Sequence, residues 1–309
     1  MTMSLIEQID RRIESALESG ALEPIHAESC EVVERGMRFT LRWVSTLANK
    51  DAATPATTTG SEVTMPGGPR DPDFNPFLNP DPALTVGPIG EMHTVILNKF
   101  PVCERHLVLA RQSFEEQLIP LAECDFIALG RLMCDYGGLG FYNGGAAAGA
   151  SQRHKHVQWI PEAEGNASLD LYLPGLPAGV PALEAVRHAA LGLRHCFVRV
   201  GEAPDDDPVG FGRAMHAAFE RARVELSLGV DEQGLLPAFN LLVGQGWMLV
   251  VPRSVECFED VSVAAINFGG VLYVRRREQL DRLRAVGPLA VLASVGDPRR
   301  VIDGTAQDG

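Results

Sequence analysis

Lysine is nearly missing from this chain. Of 27 basic residues only Lys50, Lys99 and Lys155 are lysines, set against 40 acidic residues and a formal net charge of −13 at pH 7. That balance argues against a general binder of nucleic acid or of a membrane surface, because there is no broad basic field to attract either. A polyanionic ligand would have to be held by local donors inside an acidic body. Arginine serves wherever a generic cation is wanted, so a remaining lysine is a candidate for a compact point charge. Paired cysteines are lacking too: Cys30, Cys103, Cys124, Cys134, Cys196 and Cys257 are scattered, with no C-x-x-C pair. This argues against a disulfide framework and a zinc cage, and a reduced, cytoplasmic protein is the simple reading. No apolar run approaches the roughly 18 residues that span a bilayer. The N-terminus reads as an acidic-basic amphipathic helix without a signal-peptide pattern. No internal repeat is visible in the residues.

What the chain does have is apolar bulk. With 309 residues, 46% of them hydrophobic, it can bury a full core in one large domain or two. Helix-like and strand-like patches interleave, which predicts an α+β protein. Residues 2–35 read as helix, a break at Gly20, then more helix, and 37–48 alternate as a strand does. Residues 52–70, rich in Thr, Ala, Gly and Pro, predict a flexible loop. Residues 93–100 and 106–110 form a hairpin signal. A capping box at Ser113 predicts a short helix stopped by Pro120, and 122–137 carry a helical apolar face. Beyond a Pro-rich linker at 174–181, helices are predicted over 182–199, 211–228 and 278–297. Strands are predicted over 238–243, 247–251 and 271–275, with a frayed final dozen residues.

The informative stretch is Gly149-Ala150-Ser151-Gln152-Arg-His154-Lys155-His156-Val-Gln158-Trp159, preceded by Asn143-Gly-Gly-Ala-Ala-Ala. On a strand His154, His156 and Gln158 share one face, with Val157 and Trp159 on the other, toward the core. The small residues ahead of them let backbone N–H groups approach a ligand closely. Imidazole attacks phosphorus and leaves again near neutral pH, provided its second nitrogen keeps a proton and donates it to a fixed acceptor. Gln158 can hold a phosphoryl oxygen without exchanging a proton. It therefore favours a phosphorylated histidine that waits for a second substrate. From spacing alone two other readings stay open: a metal site completed by Cys103 and His106, and a structural pair of histidines.

These residues resemble the diadenosine tetraphosphate phosphorylases, also called ATP adenylyltransferases, of the histidine-triad superfamily near its galactose-1-phosphate uridylyltransferase branch. Asp73-Phe-Asn-Pro-Phe77, Leu97-Asn98-Lys99-Phe100, His106-Leu-Val-Leu, Phe114-Glu-Glu-Gln117, Phe239-Asn-Leu-Leu-Val, Trp247-Met248, Val251-Pro252-Arg253 and Ile266-Asn267-Phe268-Gly-Gly270 fall in the family's order. The resemblance implies a histidine-triad-like antiparallel sheet flanked by helices and completed by the C-terminal half. It implies a catalytic region over 1–180 and an ATP-adenylyltransferase-like region over 181–300. It also implies His156 as nucleophile, His154 as its support and Gln158 as phosphoryl holder. Lys50, Asn98, Lys99, Asn143, Gly149, Ala150, Ser151 and Gln152 would bind substrate. The reaction would be phosphorolysis of a dinucleoside polyphosphate, with inorganic phosphate as co-substrate and no cofactor or metal. The partners would be a small nucleotide and no nucleic acid or membrane, in a monomer or homodimer. The alternatives are a related transferase acting on adenylylsulfate or a nucleotide sugar, and a catalytically weak nucleotide binder.

One departure stands out. The family pattern has Thr-Lys before the Trp-Met pair, where this chain has Gly244 and Gln245. Residues outside the motif read as structural. His93 and His106 lie on apolar strands, Lys155 faces away from the histidines, and Trp247-Met248 reads as core. Arg253 could meet an acidic neighbour or a phosphate equally well.

Overall fold

The structure is a computed structural model in which residues 3–24, 27–44 and 75–297 are described. Lys50, the 52–70 segment and the last dozen residues fall outside them. Helix α1 (Leu5–Glu18) begins at a capping box, in which the Ser4 hydroxyl takes the Glu7 N–H and the Glu7 carboxylate takes the Ser4 N–H. The helix expected after Gly20 is instead strand β1 (Glu28–Glu34), paired antiparallel with β2 (Met37–Trp43). Arg35 and Gly36 both take positive φ (49° and 79°), the turn geometry of a tight hairpin. Cys30 and Val32 then share the face that packs on the core, so a period of two wins over the helical reading.

Strands β3 (Thr85–Ile89), β4 (His93–Leu97) and β5 (Leu107–Arg111) lead into α2 (Glu123–Tyr136), β6 (Leu139–Gly144) and β7 (His156–Ile160). Then come β8 (Ala185–Val186), β9 (Cys196–Arg199), α3 (Pro208–Glu225), β10 (Phe239–Gly244) and β11 (Trp247–Pro252). These nine later strands form one antiparallel sheet in the order β3-β4-β5-β7-β6-β10-β11-β9-β8. The α+β architecture is as the sequence predicts, and β7 is fourth from one edge.

That order contains a repeat which the residues hide. The run β4-β5-α2-β6-β7 and the run β8-β9-α3-β10-β11 have the same succession of elements, and each lays its strands in the same relative order. The two units meet where β6 pairs with β10, and α2 packs against α3. The expectation of no repeat was therefore wrong at the level of topology. The counterpart of β7 is β11, which has no histidine and is wholly buried.

Two further predicted helices are absent. Residues 113–120 have no helix, because 115–117 run beside 153–155: the Lys155 N–H donates to the Glu115 carbonyl (2.8 Å) and the Gln117 N–H to that of Arg153 (2.7 Å). Residues 182–199 yield to β8 and β9, since β11 offers β9 a sheet edge over Cys196–Arg199. After the short hairpin β12 (Cys257–Phe258) and β13 (Val261–Ser262), α4 (Ala265–Phe268) leads to β14 (Val271–Val274), which joins β2 in parallel. The closing helix divides into α5 (Arg277–Val286) and α6 (Pro288–Ser294), with Gly287 at φ 92° between them and Pro288 opening the second.

The large sheet is buried on both faces. Val157, Trp159 and Leu109 join one core with α1, α2 and α3, while Phe141, Ile160 and Leu242 join another beneath β2, β14, α5 and α6. His156 and Gln158 alternate with Val157 and Trp159, so they lie on the second face.

Candidate active site

Strand β7 starts at His156, and His154 precedes it in an isolated bridge to Glu116. The His156 Nδ1 lies 2.8 Å from the carbonyl oxygen of His154. A carbonyl only accepts, so Nδ1 carries the hydrogen and Nε2 the lone pair. Burial pushes the His156 pKa down to about 4, outweighing the bond to the His154 carbonyl, so the ring is neutral at pH 7. A neutral ring with its lone pair on Nε2 is the nucleophilic form.

His154 faces an acceptor on each ring nitrogen. Nε2 lies 2.7 Å from the Arg111 carbonyl and Nδ1 lies 3.0 Å from Asn75 Oδ1, which also takes the N–H groups of Phe77 and Leu78. Burial lowers its pKa, while the carbonyls of Arg111 and Ser113 and the charge of Glu115 act in the opposite direction. Phe77 packs against both rings, tilted to His156 (centroids 4.8 Å) and edge-on to His154 (6.0 Å).

Gln158 is held by His106, whose Nε2 lies 3.0 Å from Gln158 Oε1 and 3.3 Å from Asn98 Nδ2. One ring nitrogen cannot donate to the first and accept from the second at once. The Val102 N–H faces Nδ1 at 3.5 Å, which places the hydrogen on Nε2 and favours the Gln158 bond. The Gln158 NH₂ group is then left for an anionic oxygen. Burial pushes the His106 pKa down to about 4, so this ring is neutral as well. His106, expected as a satisfied core or hairpin histidine, is buried and hydrogen-bonded, and its partner is Gln158. His106 just precedes β5 and shares a face with residues 108 and 110, and the pairings Val108–Gln158 and Ala110–His156 put that face beside His156.

The small-residue loop begins where β6 ends. Gly145 and Gly149 hold φ values of 85° and 84° around a 3₁₀ turn, Ala146–Ala148. A side chain on Gly149 would also come within 3.0 Å of the Ala264 Cβ. The N–H groups of Ala148, Gly149 and Ala150 are taken up inside the turn. Those of Ser151 and Gln152 have no partner among the described residues. Asn143 ties the loop to the C-terminal half, its Oδ1 accepting from Asn240 Nδ2 (3.1 Å) and the Ala265 N–H (2.8 Å).

Asn98 reaches the cluster through His106, but Lys99 does not. Its Nζ is 3.5 Å from Glu23, half-exposed, above the Phe100 ring. It stands near an apolar cleft of about 510 Å³ that opens beside His106 and is lined by Ile13, Leu17, Leu22, Leu97 and Val102. Arg253 is buried among neutral acceptors. Its guanidinium donates to the Asn240 side chain and to the carbonyls of Val255, Glu256, Val263 and Val295. Gln245 forms the β10–β11 turn, at φ 48°, and accepts the Leu169 N–H. Because Gly140 pairs with both Trp159 and Val243, that turn lies at the far end of β7 from His156, about 15 Å along the strand.

Behind the strand is a buried ion network. Lys155, fully buried, pairs with Glu115 (2.8 Å), and Arg111 and His93 pair with Asp125 (2.9 and 2.8 Å). Burial pushes the Asp125 carboxyl up, but His93, Lys155 and Arg111 together hold it below the usual range. Lys155 and His93 are structural, as the sequence suggested. Among the described residues no group of three His, Cys, Asp or Glu side chains has the arrangement of a metal site.

The family model of the Ap4A phosphorylase N-terminal domain matches residues 1–174, and that of the ATP adenylyltransferase C-terminal domain matches 189–298. The chain belongs to the Ap4A phosphorylase family. Among relatives in this family, diadenosine 5′,5‴-P1,P4-tetraphosphate phosphorylase 2 of Saccharomyces cerevisiae is 27% identical over 303 residues, covering 91% of this chain and 90% of its own. Protein APA1 of the same yeast is 26% identical over 228 residues, 68% and 71% of the two chains. Yeast Ap4A phosphorylase Apa2 superposes with a TM-score of 0.75 at 21% identity, over 97% of this chain and 98% of that one. Its complex with Ap4A superposes with a TM-score of 0.73 at 23% identity, over 96% and 98%. These structures share the fold of the Ap4A phosphorylase family chain described above.

Proposed function

We propose that this chain is a nucleotidyltransferase that phosphorolyses dinucleoside polyphosphates through an adenylyl group carried on His156. The observation that carries the reading is the 2.8 Å bond from His156 Nδ1 to the His154 carbonyl, which leaves a buried neutral ring with its lone pair on Nε2. Nε2 attacks the α-phosphorus of diadenosine tetraphosphate, the bond to the bridging oxygen breaks, and ATP departs. An oxygen of inorganic phosphate then attacks the same phosphorus, the P–N bond breaks, and ADP leaves with His156 neutral again. Gln158 and the Ser151 and Gln152 N–H groups bind phosphoryl oxygens and stabilise the charge that builds on them. Asn143, Gly149 and Ala150 shape the loop that presents those donors, and the cleft beside Asn98 and His106 accepts an apolar base. Lys99 belongs to the proposed substrate-binding set and Lys50 to its phosphate-binding part. Phosphate acts as co-substrate.

The test is to incubate the protein with diadenosine tetraphosphate and phosphate and resolve the products. ADP plus ATP in equal amounts, dependent on phosphate and absent in His156→Ala, supports the reading. AMP plus ATP without phosphate dependence would make the protein a hydrolase. Adenylyl-enzyme trapped from a radiolabelled donor separates an enzyme from a nucleotide binder.

A further inference from the structure

Strand β7 changes neighbours at the nucleophile. On one side it pairs with β6 from Ile160 only as far as Gln158, opposite Phe141. Upstream, β6 gives way: residues 115–117 bond to Arg153 and Lys155 and bridge to His154. His156 lies at the junction, where neither backbone reaches it. A buried N–H and C=O left bare there would each lose the worth of a hydrogen bond.

One side chain fills the gap. Gln117, 2% exposed, accepts the His156 N–H on Oε1 (2.9 Å) and donates from Nε2 to the His156 carbonyl (3.2 Å) and the Asn143 carbonyl (2.9 Å). Its own backbone is pinned by the Gln117 N–H bond to Arg153 and by the Tyr142 hydroxyl, which donates to its carbonyl. The orientation of the amide is unambiguous, since its oxygen faces a donor and its nitrogen faces two acceptors. No other uncharged side chain of this length presents one acceptor and two donors.

We propose that Gln117 is a positioning residue for the nucleophile, its amide standing in for the missing sheet rung at His156. The inference rests on the reading of His156 given above. The substitute rung lets β6 leave β7 and turn into the glycine loop at Gly145, while the His156 peptide stays in the plane of the sheet. Asn143, the last polar residue before that loop, is tied to the same amide. A tilted His156 peptide would lengthen the Nδ1 bond to His154 and swing Nε2 off the line of attack. A displacement of about 1 Å there costs on the order of 100-fold in rate.

The experiment compares Gln117→Glu and Gln117→Met with wild type, normalised to folded protein by circular dichroism and followed by single-turnover adenylylation. In Gln117→Glu at about pH 7.5 the ionised carboxylate cannot donate to the two carbonyls, and the rate is expected to fall about 100-fold with KM little changed. Near pH 5.5 the same carboxyl group, once protonated, regains one donor and one acceptor. The rate of this variant relative to wild type at the same pH is then expected to recover by about tenfold or more, because His156, with its pKa near 4, remains neutral there. Gln117→Met has nothing to protonate and should stay slow at both values. Wild-type rates per folded molecule in both variants would overturn the proposal. So would the failure of both variants to fold at either pH, since the amide would then hold the sheet and not the nucleophile. If wild-type protein forms no adenylyl-enzyme, the proposed function fails first, and the two failures are told apart.

Discussion

The His156 ring and the His154 carbonyl form a closed local unit: two residues apart in the chain, joined at 2.8 Å, with no other side chain needed to set the tautomer. His156→Ala removes the only atom in this unit that can attack. Adenylyl transfer is expected to drop below about a thousandth of wild type, as nucleophile removal does elsewhere. Nucleotide affinity, measured by calorimetry, is expected to hold. A variant retaining substantial phosphorolysis would refute the assignment.

His106 sets the orientation of Gln158 through one 3.0 Å bond. His106→Leu should free the Gln158 amide to rotate and lower kcat by about 100-fold, a loss typical of a misplaced group near the chemistry. Steady-state kinetics would show the effect in kcat more than in KM.

Three buried histidines tie stability to pH. Burial pushes His106, His156 and His195 to about 4, well below their value of about 6.5 in an unfolded chain. The unfolded state therefore binds more protons between these values, and stability must fall as pH falls. The contribution is full above about pH 6.5 and is lost progressively toward pH 4. Urea midpoints measured from pH 7.5 down to 4.5 should decline steadily, most steeply below 6.5. A flat profile would mean that these rings are solvated.

Lys155 lies between the two histidines in sequence and faces the opposite way, locked to Glu115 and the Pro120 carbonyl. Lys155→Met leaves Glu115 and Asp125 with less positive charge to face. Removing one partner of a buried pair costs about 3–5 kcal/mol. Denaturant unfolding would register that loss, and Lys155→Arg, too bulky for the site, should recover only part of it.

Local patterning carried much of this. The His154/His156/Gln158 alternation, the glycine-rich turn, the 93–110 hairpin and the helix at 122–137 all rest on neighbours close in sequence, where period and capping act directly. The failures are of two kinds. Residues 113–120 and 182–199 carry local helical signals and yield to backbone partners distant in sequence, residues 153–155 and β11, whereas 28–34 yields to its hairpin neighbour β2 across the Arg35-Gly36 turn. The contacts of His106 with Gln158 and of Gln117 with His156 were not legible for the same reason, since they exist only once β5 and the 115–117 segment lie against β7. The doubled β-β-α-β-β unit is a match of strand order, and β11 carries none of the polar residues of β7 that make the first half legible.

The residues alone specify the chemistry available at one strand: a histidine nucleophile, a glutamine that cannot titrate and a loop of small residues ahead of them. Folding selects which nitrogen of His156 is free, makes the ring neutral at pH 7, and brings up the distant side chains that hold it there. A tautomer needs an acceptor at bonding distance, and a depressed pKa needs burial. The acceptor is the His154 carbonyl, which lies in the same stretch, but the burial is a property of packing that no single stretch of chain contains.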